Sequence, residues 1–258
     1  MISLLGVILL LSVAVGLSSN RSAIRLRTVS LAFALQVTIG FVALFTDWGI
    51  AALGAASEYV SVLLSYSRAG MEFMFGGLVG PSDSLGFIFA FSVLPVVIFF
   101  SSLIAVLYHA RIMQWLIRIM GGGLRAILYT SHTESLSAAA NVFVGQAEAP
   151  LVARPYIPGM TRSELFAVMV GGMASIAGSV MAGYVALGVP LEYLLAASFM
   201  AAPGGLLMAK LMEPETDTPD EPEQGEQLAS EKYINFIDAA ATGAMNGLQM
   251  VVAIGAML

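Results

Sequence analysis

The sequence predicts an all-α polytopic membrane protein in which transmembrane helices frame a re-entrant helical hairpin and a broken helix. Three observations predict it. Of 258 residues, 58% are hydrophobic and only 11% charged, against roughly 25% charged in an average soluble domain. Apolar runs long enough for the ~30 Å hydrocarbon core recur along the chain. Between Thr133 and Tyr156 the stretch TESLSAAANVFVGQAEAPLVARPY sets two glutamates, an asparagine and a glutamine among small residues, which is too polar for a helix facing lipid.

The first apolar run, Met1 to Leu17, has no basic residue before it and three after it, Arg21, Arg25 and Arg27. It reads as a retained helix and not as a cleaved leader. Val29 to Phe45 is the second span. Asp47 to Pro81 mixes Trp48, Tyr59, Tyr66 and Phe73 with Glu58, Arg68 and Glu72, a pattern that suits an interfacial position. Leu85 to Leu107 is the third span. His109 to Tyr129 carries three arginines, a tryptophan and a Gly121-Gly122-Gly123 break. An arginine at the bilayer centre costs about 2.5–3.5 kcal/mol on insertion scales, so this piece is expected to lie on the membrane surface.

The central polar segment, 131–151, lies between two basic stretches, and a chain that enters and leaves by one face is a re-entrant hairpin. Ser135, Ser137 and Ala138 to Ala140 allow its first arm to pack closely, and Gly145 marks the tip. Leu165 to Val189 is the fourth span. In its GGMASIAGSVMAGY stretch Ser175 and Ser179 lie one turn apart among glycines, which predicts a helix broken at membrane depth. Serine hydroxyls with the amide oxygen of Asn141 form a hard, neutral oxygen set suited to sodium. Close helix packing by small residues explains the same pattern, and both readings stay open here. Leu191 to Leu211 is a fifth, glycine-interrupted span. Glu213 to Glu231 holds eight of the seventeen acids and three prolines, which predicts a solvated, disordered linker. A sixth span begins near Ile234.

With Met1 outside, ten of the eleven basic residues fall on the inner face and only Arg68 on the outer. That asymmetry predicts an external N-terminus and a cytoplasmic basic face. The absence of cysteine excludes disulfides and thiolate metal sites. His132 and Glu134, two apart on a helix, do not converge on one ion. Glu134 is expected to favour the helix start or to line the inner exit, and Asp238 and Asn246 to face the bundle or the inner interface. No nucleophile with a base, metal cluster or phosphate-binding glycine loop is present in the sequence, so an enzyme is disfavoured.

The run Gly145-Gln146-Ala147-Glu148-Ala149-Pro150-Leu151, then Arg154-Pro155-Tyr156, then Ser175-Ile176-Ala177-Gly178-Ser179-Val180, and finally Asn235 to Ala244 resembles, in order and spacing, the concentrative nucleoside transporters. The likeness covers essentially the whole chain. It implies that Gly145, Gln146, Ala147 and Glu148 form the tip that faces the nucleobase. Gln146 and Glu148 would hydrogen-bond the base's polar edge, since an amide both donates and accepts and a carboxylate accepts. Ala147 stands where many members have threonine or serine, so base preference does not carry over.

The same likeness implies a sodium ion held by the side chains of Asn141 and Ser175 and the backbone carbonyls of Val144 and Ile176. Proton coupling through Glu148 is the alternative, because a carboxylate in an apolar cleft can retain its proton. A passive channel or an assembly module of the same fold are the further alternatives. The implied protein is an inverted-repeat transporter, of which this chain resembles one half. Its division is an N-terminal scaffold over 1–130, a transport unit over 131–212 with hairpin 131–151, broken helix 164–189 and following helix 190–211, an acidic loop over 213–231, and the start of a long oligomerisation helix over 232–258. The implied setting is the cytoplasmic membrane, as a homotrimer, with a nucleoside as substrate and no nucleic acid polymer as partner. Gly243 and Gly247 are spaced for close helix packing.

Overall fold

The computed structural model describes residues 2–79, 88–143, 153–176, 178–219 and 233–257, and every regular element among the described residues is a helix. In chain order these are α1 (Ile2–Gly16), α2 (Leu26–Phe45), α3 (Asp47–Phe75), α4 (Phe89–Ser92), α5 (Leu94–His109), α6 (Ile112–Leu128), α7 (His132–Ala140), α8 (Arg162–Ala174), α9 (Gly178–Ala186), α10 (Leu191–Met212) and α11 (Phe236–Met257). Five stretches are long and apolar enough to cross a membrane: Leu26–Phe45, Asp47–Leu78, Phe89–His109, Leu191–Met212 and Phe236–Met257.

Four of these coincide with expected spans, and three elements differ. α1 is a helix of only 15 residues. The stretch expected along the interface is α3, 29 residues continued by a 3-10 turn over Gly76–Leu78, and it meets the length and apolarity of a span. Its charges are few for its length, and Arg68 and Glu72 pair one turn apart at 2.8 Å on an exposed face, a geometry worth only a few tenths of a kcal/mol. α3 starts on Thr46, whose hydroxyl accepts from the Gly49 amide, and ends on Gly76 at φ +55°, a conformation only glycine adopts cheaply. Third, α6 runs through Gly121-Gly122-Gly123 without a break.

The chain forms two compact units. The first comprises Met1–Phe41, Leu116–Ser175 and Ser198–Ala229. Its core is made of Ile117, Leu128, Leu136, Ala167, Leu206 and Leu207, all buried. Small residues set the helix spacing in this unit. A Cβ on Gly121 would lie 2.9 Å from Leu136 Cδ2 and 3.1 Å from its Cα, and one on Gly40 would lie 2.8 Å from Met200 Cε. At Gly121 the backbone of Leu136 cannot give way, so glycine is what lets α6 approach α7, whereas at Gly40 the flexible end of Met200 fills the space beside α2. α6 is continuous although each helical glycine costs about 1 kcal/mol relative to alanine, and Gly121 is where it packs closely against Leu136.

The second unit comprises Val42–Trp115, Ile176–Ala197 and Ser230–Leu258. Two apolar clusters hold it, one around Met71, Val96 and Phe100 and one around Met181, Leu191 and Leu194. α5, entered through Pro95 in its first turn, packs along α11. A Cβ on Gly243 would lie 2.7 Å from the Ser101 carbonyl oxygen, and one on Gly247 2.8 Å from Ile98 Cα. The Ser102 hydroxyl donates to the Ala240 carbonyl at 2.9 Å across this seam. Gly243 and Gly247 therefore serve close packing within the chain, and Asn246 on the same helix is exposed. Asp238 accepts from the Ile234 amide at 2.9 Å and caps the start of α11.

Candidate functional site

Two short helices of the first unit carry the site, and both begin in the same way. At α7 the Ser131 hydroxyl accepts from the Glu134 amide at 3.3 Å, while Glu134 accepts from the Ser131 amide at 2.7 Å. At α8 Thr161 and Glu164 make the equivalent pair, at 3.1 and 2.9 Å. Each capping box satisfies two backbone donors that a helix start leaves orphaned. The pattern is legible in the sequence as Ser131-His132-Thr133-Glu134 and Thr161-Arg162-Ser163-Glu164. Expected near the helix start, Glu134 lies there and is 2% exposed.

α7 is buried on every side from Thr133 to Ala140. A helix with no exposed face accommodates only small residues or residues with partners, and Ser135, Ala138, Ala139 and Ala140 are the former. Its C-cap is Asn141, 2% exposed. The Asn141 Nδ2 donates to the Ser137 carbonyl at 3.0 Å, which fixes the amide plane and turns Oδ1 outward. That oxygen meets the Ser175 hydroxyl at 3.4 Å.

Ser175 is where α8 stops. Its backbone is extended, φ −105° and ψ 157°, so the expected break of the helix falls here and α9 resumes at Gly178. The hydroxyl also reaches the Gly172 carbonyl, at 3.4 Å. Both contacts are long against the ~2.7–2.8 Å typical of a hydroxyl hydrogen bond, so the hydroxyl is loosely held and its lone pairs stay available. Gly171 makes the meeting possible, since a Cβ there would lie 2.9 Å from Asn141 Nδ2. What converges is two neutral, hard oxygens at a helix C-terminus beside a broken backbone. That donor chemistry fits sodium better than a transition metal.

Of the other expected ion ligands, Ile176 belongs to the second unit, packed against the Met181, Leu191 and Leu194 cluster, and Val144 lies outside the described residues. Gly145, Gln146, Ala147 and Glu148 also lie outside them, as does the second arm of the hairpin up to residue 152. The side chain of Ser179 is likewise outside what is described. His132 stacks edge-on to Tyr156 with centroids 6.5 Å apart. Among the described residues no three His, Cys, Asp or Glu side chains group to hold a metal.

One buried charge was not anticipated. Lys210, counted in the sequence as a surface cation, is 7% exposed. Its Nζ lies 2.6 Å from Glu134 Oε2 and 3.6 Å from Glu215 Oε2, and it donates to the Ser163 hydroxyl at 2.9 Å. Ser163 in turn donates to the Glu213 carbonyl at 2.6 Å, and Thr161 to Glu215 at 2.9 Å. The start of the acidic segment, expected to be a disordered linker, is thus tied through Glu213 and Glu215 to the start of α8 and the end of α10. The signal was available: isolated ionisable residues inside apolar segments call for a named partner, and Glu134 and Lys210 answer each other.

The chain matches three family descriptions in succession: "Na+ dependent nucleoside transporter N-terminus" over residues 5–78, "Nucleoside recognition" over 90–191, and "Na+ dependent nucleoside transporter C-terminus" over 193–258. It is 56% identical to an uncharacterized transporter of Haemophilus influenzae, with 99% of this chain and 61% of that protein aligned. It is 45% identical to the nucleoside permease NupC of Helicobacter pylori, over 99% of this chain and 62% of that protein. With the human sodium/nucleoside cotransporter 1 it shares 38% identity over 100% of this chain and 39% of that protein. Among solved structures, CNTnw in an inward-facing substrate-bound state superposes with a TM-score of 0.91 at 54% identity, covering 98% of this chain and 60% of that one. The chain therefore spans less than two thirds of the length of these relatives. The family descriptions, the relatives and the solved structure agree: the chain belongs to the concentrative nucleoside transporter family, a family of transporters and not of enzymes.

Proposed function

We propose that this chain provides the ion-binding and base-facing part of a sodium-coupled nucleoside symporter. The observation that carries the reading is the meeting of Asn141 Oδ1 with the Ser175 hydroxyl, at 3.4 Å, where the first hairpin arm ends and the broken helix stops. Two further oxygens, the backbone carbonyls of Val144 and Ile176, complete the set in this reading. Sodium is cargo here, and the names of the family and of the human relative support it as the coupling ion.

In the mechanism we infer, the ion enters first and orders the turn after Asn141. That turn leads directly into Gly145, Gln146, Ala147 and Glu148, which receive the nucleobase. Ion binding is thereby converted into nucleoside affinity, and by linkage the nucleoside tightens the ion by the same factor. The setting is the cytoplasmic membrane with the N-terminus outside, which the distribution of basic residues supports. We further propose a homotrimer as the working assembly. We propose also that transport requires a chain of the relatives' full length, the remainder supplying the opposite half of an inverted repeat.

The test is uptake of uridine and adenosine into proteoliposomes with and without an inward sodium gradient. It compares the 258-residue chain with a chimera extended by the C-terminal remainder of the Haemophilus influenzae relative. Sodium-driven accumulation by the chimera supports the symporter. Downhill flux indifferent to sodium points to a channel, and accumulation driven by a proton gradient alone points to coupling through Glu148. A Glu148→Gln change is expected to reorder preference among nucleosides. An equal loss for all of them would remove Glu148 from base recognition.

A further inference from the structure

The Lys210 cluster lies at the opposite end of the same two helices that carry Asn141 and Ser175. Glu134 lies about two turns before Asn141, and Ser163 about three turns before Ser175. Lys210 binds both, at 2.6 Å and 2.9 Å. The helix that carries Lys210 also touches α8 near its far end, where a Cβ on Gly205 would lie 3.4 Å from Gly171 Cα. Gly171 is the residue against which the Asn141 amide rests. α10 thus meets α8 near both of that helix's ends, through Gly205 beside Gly171 and the Asn141–Ser175 pair, and through Lys210 at the root.

We propose that Lys210 is a positioning residue for the Asn141–Ser175 pair: by clamping Glu134 and Ser163 it fixes the relative placement of α7 and α8, and so the distance between the two oxygens at their ends. This inference rests on the sodium reading above. The chemistry suits a clamp. An ammonium has three donors and no acceptor, and here it faces two carboxylates and a hydroxyl from three separate segments. Glu134 and Ser163 are each held a second time, Glu134 by the Ser131 amide and Ser163 by the Glu213 carbonyl, so their side chains are not free to follow Lys210 if the helices shift. The pair sits at the end of short helices, where a small rotation at the root becomes a displacement at the tip. The 3.4 Å between the two oxygens suits two ligands of one cation, and a change in helix placement alters that spacing and the direction in which each oxygen points.

The test is the sodium concentration that gives half-maximal thermal stabilisation of the detergent-purified 258-residue chain, with choline as the control cation. Lys210→Met is expected to raise it by at least about fivefold, with an unchanged elution volume, and Lys210→Arg to hold it closer to wild type. Because Lys210→Met leaves a buried carboxylate unpaired and risks unfolding, Glu134→Gln/Lys210→Met removes both charges together. The double variant is expected to show the same rise and no more, since the two residues act through one contact. A purely structural Lys210 would lower stability in choline for every variant while leaving the half-stabilising sodium concentration untouched, and that result overturns the proposal. If the wild-type chain shows no stabilisation by sodium over choline, the sodium reading itself fails and this inference falls with it. A sodium-responsive wild type whose variants keep the wild-type half-stabilising sodium concentration overturns only the role of Lys210.

Discussion

Asn141 is held by its own helix and read by its neighbour: Nδ2 is tied to the Ser137 carbonyl, and Oδ1 accepts from the Ser175 hydroxyl. Removing either oxygen, by Asn141→Ala or Ser175→Ala, is expected to raise the sodium needed for half-maximal response about tenfold, or ~1.4 kcal/mol, in a sodium-dependence curve of nucleoside uptake by the extended chimera. A subtler variant leaves every ligand in place. Gly171→Ala puts a methyl 2.9 Å from Asn141 Nδ2, so the amide must move and the sodium requirement is expected to rise although no oxygen is lost. Gly205→Ala, whose methyl meets its neighbours at ordinary contact distance, is the matched control and is expected to be near wild type. At this scale the sequence showed Asn141 and Ser175 because polar side chains stand out within apolar segments. It hid the Lys210–Glu134 pair because the partners are far apart along the chain, and because a lysine near the end of a span reads equally well as a surface anchor.

The helices divide into those whose apolar length is enough to define them and those that need partners. α2, α5, α10 and α11 were visible as apolar runs, and the broken helix was visible from serines and glycines clustered within one. The continuity of α6 was not, since the close approach of Gly121 to Leu136 is a tertiary contact that no local pattern encodes. α3 shows the limit of such patterns: its interspersed charges suit an interface, while its length and apolarity also meet the requirement of a span, so composition fits both positions. Close seams give direct tests. Gly243→Val or Gly247→Val forces a side chain into α5, where carbonyl and Cα atoms cannot give way, and is expected to destabilise the second unit by about 1–3 kcal/mol, measured as a lowered melting temperature in detergent. Thr161→Ala removes one capping acceptor and the bond to Glu215, and is expected to cost about 0.5–2 kcal/mol in the same measurement.

For the molecule as a whole, the Asn141–Ser175 pair forms within the first unit, and the residues proposed to receive the base follow Asn141 directly along the chain. Asn141 caps α7, and the residues proposed to face the base begin four positions later, so in the proposed mechanism an ion that orders the one also prepares the other. Such coupling is a free energy shared between two ligands, usually 1–3 kcal/mol or roughly 5- to 150-fold in affinity, and it is reciprocal. The chain spans 61% of the Haemophilus influenzae relative, and the proposal that transport needs the relatives' full length makes the extended chimera the proper object of study. The most direct measurement is the dissociation constant of uridine for that chimera by titration calorimetry, over a series of sodium concentrations at constant ionic strength, with the Asn141→Ala variant in parallel. The account predicts that uridine binds more tightly as sodium rises, and that Asn141→Ala shifts this dependence to higher sodium. Uridine affinity indifferent to sodium, or a sodium dependence that Asn141→Ala leaves unchanged, would contradict it.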